Sequence, residues 1–202
     1  MKRTISIEVG KGSQAHNSRK FKASNVDAER TQNNVCYCNE NIRRVYHELF
    51  DDAVKRYNDK QTRADRKIDD YYKKIRTGKQ EKLFHEIVVQ IGNKDDTNVQ
   101  GEHCELAGKI LDEYYSGFIE RNPQLRVFSA HLHLDEETPH LHIDFLPFMT
   151  GSKRGLDTRV TLKQALAMQG FKGGSREETE WSQWVQSEKE VLADVMKRHG
   201  VE

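Results

Sequence analysis

The string His131-Leu-His133-Leu-Asp-Glu-Glu-Thr-Pro-His140-Leu-His142 joins two strand-like runs, residues 125–134 and 140–148, and constrains the fold more than any other stretch. Alternate side chains of a strand share a face, so His131 sits beside His133 and His140 beside His142. If residues 135–139 close an antiparallel hairpin pairing His133 with His140, then His131 pairs with His142. Four imidazoles then line one face, with opposed Cβ atoms roughly 5 Å apart. The other face carries Phe128, Ala130, Leu132, Leu141, Ile143 and Phe145, an apolar surface that a core must cover. Three neutral imidazoles meeting at about 2.1 Å from one ion leave coordination positions open, as in reactive rather than structural metal sites. Imidazole donors favour Mn2+, Zn2+, Co2+ or Ni2+ over Ca2+ without choosing among them.

At 202 residues the chain is long enough for one domain with a proper core. Charged residues make up 32% and hydrophobic ones 35%, and there is neither an apolar run of membrane-spanning length nor a secretory signal, so a cytoplasmic protein is expected. Cys36, Cys38 and Cys104 are odd in number and scattered, which fits reduced thiols. The net charge of +1 hides an asymmetry: residues 1–84 hold 20 Lys+Arg against 12 Asp+Glu, and the remainder 13 against 20. A basic half points to a polyanionic partner.

Residues 4–9 read as a first strand before a Gly10/Gly12 turn, and residues 13–34 as loop with a short helical piece. Helical periodicity spans 39–57 and, more weakly, 59–76 with Gly78 as a cap; 83–91 is a strand and 105–121 an amphipathic helix. After the histidine hairpin come a basic loop over 152–159 and helices over 161–169 and 177–199. The order β-α-α-β-α-β-β-α with adjacent antiparallel strands predicts an α+β fold, a central antiparallel sheet with helices packed on one side. No composition shift marks an internal boundary, so residues 1–202 are expected to form a single domain.

A histidine hairpin with a basic helical half points to phosphodiester chemistry, and here the chain resembles the MobV-type (Mob/Pre) plasmid mobilisation relaxases, members of the HUH single-strand endonucleases. Their third motif is matched in full by His133, Asp135, Glu136, Pro139, His140 and His142. Their first motif corresponds to His16-Asn17-Ser18-Arg19, and a central basic motif to Arg63-Ala64-Asp65-Arg66-Lys67. Of the second motif Asn34 is kept, but Val35 stands in place of an aromatic, and His131 is an addition to the pattern. The resemblance implies a metal hairpin at the centre of the sheet and strand-specific nicking of a plasmid transfer origin. It also implies a covalent 5′-phosphate adduct, and rejoining. It carries the metal ligands over to His133, His140 and His142, for a divalent cation with Mn2+ ahead of Mg2+, Zn2+, Co2+ or Ni2+. The nucleophile carries over to His16.

A histidine nucleophile needs a base in reach, which is expected of Glu136, with Asp135 orienting the hairpin or a ligand imidazole and His131 standing behind the ligands. DNA contacts are expected from Asn17, Arg19, Lys20, Lys22 and Asn34 near the nucleophile and from Arg63, Arg66 and Lys67 on a shared helix turn. Lys153 and Arg154 are expected near the cleavage point. The partner is DNA, single-stranded at the nick with an adjacent hairpin or duplex. The resemblance further implies that the chain is the amino-terminal part of a longer protein, whose later part would oligomerise. Two readings compete. One is a tyrosine-dependent nuclease of rolling-circle replication or transposition, using Tyr37, Tyr46, Tyr114 or Tyr115, with Tyr115 preferred. The other is a DNA-binding relative without catalysis.

Overall fold

A computed structural model describes residues 3–21, 24–92 and 104–201. In chain order the elements are β1 (Ile5–Val9), α1 (Gln14–Asn17), β2 (Val35–Asn39), α2 (Ile42–Asp59), α3 (Tyr71–Thr77), β3 (His85–Ile91), α4 (Cys104–Ser116), α5 (Phe118–Arg121), β4 (Leu125–His133), β5 (His140–Met149), β6 (Arg159–Val160), α6 (Leu162–Met168) and α7 (Glu180–Arg198). Five strands form an antiparallel sheet in the order β1-β3-β5-β4-β2, and short β6 pairs with the end of β5. The expected α+β class holds, and the histidine hairpin β4–β5 lies in the middle of the sheet.

The hairpin register is the one the spacing predicts: His133 opposes His140 and His131 opposes His142. One detail differs. A bulge between Val127 and Ser129 shifts the register, so Val127 joins Ala130, Leu132, Leu141, Ile143 and Phe145 in the main core. Phe128 instead packs with Val45, Tyr46, Phe50 and Leu146 in a second core. An extra residue in one strand turns its side chains to the other face. The main core is closed by α4, α5, α6 and α7, the helices expected on one side. In addition α2 and α3 cover part of the opposite face, so helices on one side alone is too simple.

Two other departures have local causes. The helix expected over 59–76 is broken, because the Asn58 amide brackets the backbone of Ile68 with two 2.8 Å hydrogen bonds and stops α2. The Asp70 side chain then caps α3 by accepting from Lys73 N at 2.8 Å. Gly78 does sit at the end of α3, but in extended rather than left-handed backbone. Residues 35–39 form edge strand β2 rather than leading into a helix; α2 starts only after Asn41, whose side chain accepts from Arg43 N.

Beneath the main core Glu188 is buried and accepts from the Tyr114 hydroxyl at 2.6 Å, Asn122 Nδ2 at 2.9 Å and Arg121 Nη2 at 3.0 Å. Glu188→Ala strands these donors and is expected to cost about 3–5 kcal/mol. A denaturant midpoint lowered at constant slope would show it.

Candidate metal centre and nucleophile

The sheet places His133, His140 and His142 with ring centroids 4.7–5.2 Å apart. Each ring spends one nitrogen on a group that can only accept. His133 Nε2 donates to the Asn17 carbonyl at 2.8 Å, His140 Nδ1 to the Thr138 carbonyl at 2.8 Å and His142 Nδ1 to Glu86 Oε1 at 2.7 Å. These acceptors fix the tautomers, leaving a lone pair on His133 Nδ1, His140 Nε2 and His142 Nε2. Among the described residues His133 Nδ1 and His142 Nε2 are buried without a hydrogen-bond partner. Oriented, deprotonated imidazole nitrogens with their far side anchored fit a divalent metal. The ligand atoms gather in two overlapping sets, His16/His133/His142 and His133/Glu136/His140, and His133 belongs to both.

Burial depresses the imidazole pKa values, to about 2 for His133 and about 4 for His131 and His140, with His142 adding to each shift. The unfolded chain takes up protons near pH 6.5, where these buried rings do not. The metal-free protein therefore has this stability in full above that pH and loses it on acidification. A melting temperature lower by several degrees at pH 5 than at pH 7, largely restored by saturating Mn2+, is expected.

His16 lies on short α1, its ring 5.8 Å from that of His133 and 5.9 Å from that of His142. Its Nε2 is 3.2 Å from Glu136 Oε1. Arg19 completes the cluster: Nη2 reaches Glu136 Oε1 at 2.7 Å, Nε reaches Asp135 Oδ2 at 3.0 Å, and Nη1 lies 3.4 Å from His16 Nε2. Arg19 holds this position with a left-handed backbone (φ 56°), unusual for a residue other than glycine. Burial opposes ionisation of Glu136, but His140, Arg19 and His16 outweigh it and keep the carboxyl below its ordinary range.

Several expected roles are corrected by position. Asp135, fully buried, orients Arg19 rather than an imidazole. Asn17, 2% exposed, spends its amide on Glu86 at 2.7 Å and so is not available to DNA. Asn34 accepts from Leu134 N at 2.7 Å, pinning the hairpin turn. His131 is buried on the histidine face with its ring 6.2 Å from that of His133, outside both ligand sets. Lys20 is exposed, and Lys22 lies outside the described residues.

Arg63, Arg66 and Lys67 share a helix turn, but it is a single 3-10 turn (Ala64–Arg66, capped by Arg63 and Lys67) between α2 and α3 rather than part of a long helix. Lys153 and Arg154 follow the far end of β5, about 20 Å from His142 at strand rise, and so lie away from the histidine cluster. There Arg154 joins Lys74, Lys79 and Arg159 around a cleft of about 600 Å3. Ile68, beside the Arg63–Lys67 turn, packs with Ala53 and Leu156, so both basic groups share this end of the molecule.

Glu86 was not singled out by the sequence. It faces Asp144 across the β3–β5 ladder and accepts from His142, Asn17 and Gly12 N. Burial opposes its ionisation, but these donors outweigh it and hold the carboxyl below its ordinary range. Asp144, buried beside Glu86, is pushed up to about 7, mainly by burial. The signal was a lone acid inside the apolar run Leu83–Ile91, on the strand side that the hairpin histidines share.

The candidate tyrosines are engaged elsewhere. Tyr37 donates to Asp112 at 2.6 Å and packs on Tyr115, and Tyr114 donates to Glu188, all with the main core on the other face. Tyr46 lies on the buried face of α2 and donates to the Leu83 carbonyl at 2.7 Å.

An antiparallel sheet that presents a histidine hairpin to an amino-terminal histidine defines a relaxase-type domain, and solved structures share this fold. A MobM relaxase domain (MOBV; Mob_Pre) bound to plasmid pMV158 oriT DNA of 22 nucleotides, Mn-bound at pH 5.5, aligns with TM-score 0.53 at 22% identity, over 100% of this chain and 88% of that one. The same domain with 22 nucleotides and a 3′-thiophosphate, Mn-bound at pH 6.8, aligns with TM-score 0.52 at 23% identity, again over 100% and 88%. No curated protein matches. The Mob_Pre family, plasmid recombination enzyme, matches residues 12–186, and the chain belongs to it. Among the described residues no helix is long and apolar enough to cross a membrane.

Proposed function

We propose that this domain nicks one strand of plasmid transfer-origin DNA in a bacterial cytoplasm, keeps the new 5′ phosphate on His16, and rejoins the ends. The observation that carries this reading is the placement of His16, its Nε2 3.2 Å from Glu136 and its ring edge-to-face with those of His133 and His142. A phosphate bound to an ion on His133, His140 and His142 would lie within reach of His16, the neighbouring ring. A divalent cation held by those three residues supplies Lewis-acid polarisation of a non-bridging phosphate oxygen. The MobM domains of similar fold are Mn-bound, which favours Mn2+ here. His140 and His142 fall in different ligand sets that share His133, so holding one ion with all three rings requires them to draw together as it binds.

The imidazole of His16 adds its lone pair to phosphorus as the bond to the 3′ oxygen breaks. Glu136 accepts the proton from His16 Nε2, so the attacking nitrogen is Nδ1, and the departing 3′ oxygen takes a proton from solvent. Arg19 neutralises Glu136 and reaches toward the phosphate oxygens. The P–N bond keeps the energy needed for rejoining. The hairpin or duplex arm of the target lies along the far basic cleft and the Arg63–Lys67 turn, with Lys153 and Arg154 contacting its phosphates.

Supercoiled plasmid carrying the cognate origin tests this. With Mn2+ the protein should yield open circles with protein on the 5′ end; stable binding without nicking would support a DNA-binding relative instead. For the arm, Arg63→Ala with Arg66→Ala is expected to lower the slope of log affinity against log salt by up to about 2, roughly 0.9 for each phosphate no longer neutralised. An unchanged slope would remove this turn from the interface.

A further inference from the structure

Beside His16 the histidine face of the sheet continues outward along a cross-strand row, His142 to Val88 to Glu8. Above this row lies a cleft of about 460 Å3, whose lining includes His16, His142, Val88, Glu8, Val9 and Phe21. Phe21 is 62% exposed and Val9 58%. Among the described residues these are two of five exposed large apolar side chains, and both border this one cleft. An aromatic ring left open in a charged neighbourhood is what stacking on a base requires. Glu8, steadied by a 2.9 Å hydrogen bond from Ser6 Oγ, offers only acceptors and suits the amino group of a base.

Continuity with the nucleophile identifies the occupant. A base hangs one sugar away from its phosphate, so a phosphate between His16 and His142 delivers a neighbouring base to a cleft that both residues line. In-line attack sends the leaving 3′ oxygen, with its nucleoside, to the side opposite His16. The nucleoside attached through the equatorial O5′ stays on the phosphorus that His16 now holds and does not depart with the leaving group.

We propose that this cleft is a nucleobase pocket for the nucleotide immediately 3′ of the nick, with Phe21 and Val9 packing on the base and Glu8 accepting its amino hydrogens. The pocket rests on the reading of His16 as nucleophile. It would hold the cleaved 5′ end in place for rejoining and read one base of the target.

Oligonucleotides spanning the nick of the cognate origin, with an abasic residue just 3′ or just 5′ of it, test the pocket by binding to wild type and Phe21→Ala with Mn2+. The 3′ abasic residue should weaken wild-type affinity on the order of ten-fold and Phe21→Ala hardly further. The 5′ abasic residue should affect both proteins equally. Equal losses at the 3′ position, or coupling at the 5′ position instead, would overturn the assignment. Glu8→Gln should change the ranking of the four bases at the 3′ position only; an unchanged ranking would contradict its role. Covalent adduct scored in the same wild-type samples separates the two readings: its absence refutes the nucleophile, whereas the Phe21 coupling decides the pocket.

Discussion

His133→Ala is expected to lower Mn2+ affinity by more than about 100-fold, the upper end of losses from groups that merely support a metal ligand. His133 is the one residue common to both sets of ligand atoms, and its free Nδ1 is buried without another partner. Glu86→Ala removes the carboxylate that fixes the His142 tautomer and should cost about 10–100-fold. His131→Ala should leave affinity unchanged, because that ring lies outside both sets. Calorimetric titration with Mn2+ gives this order directly. An effect of His131→Ala as large as that of His133→Ala would mean that the wrong rings had been assigned.

The second large effect concerns the covalent step. His16→Ala should form no DNA adduct at all while still binding Mn2+ and the oligonucleotide, since His133, His140 and His142 and the basic surface are left in place. Glu136→Gln keeps the shape but not the base, so its adduct should form about 10^2–10^4-fold more slowly and still on His16. Gel-shift under denaturing conditions, followed over time, distinguishes the two. A His16→Ala protein that still becomes attached would move the nucleophile elsewhere.

Much of this was legible in the sequence because strand alternation is rigid: a two-residue period and a short turn sufficed to set His133 against His140 and His131 against His142. The helix breaks were harder to see. Asn58 and Asp70 compete for the backbone through side-chain hydrogen bonds, a local effect that the apolar spacing of residues 59–76 does not reveal. The bulge that turns Phe128 to the second core is likewise silent in the pattern. Asn17, Asp135 and Glu86 were misread or missed for one reason. A polar side chain in a motif looks the same whether it meets a ligand or braces a neighbour, and only burial and partners separate the two. Lys153 and Arg154 are near His142 in sequence but a strand length away in space.

The most direct measurement is peptide mapping of the adduct formed with a cognate oligonucleotide and Mn2+. The nucleotide should sit on His16 through a bond that acid cleaves and alkali spares. A nucleotide found on Tyr37, Tyr46, Tyr114 or Tyr115, or nicking with no protein attached to the DNA, would contradict the assignment.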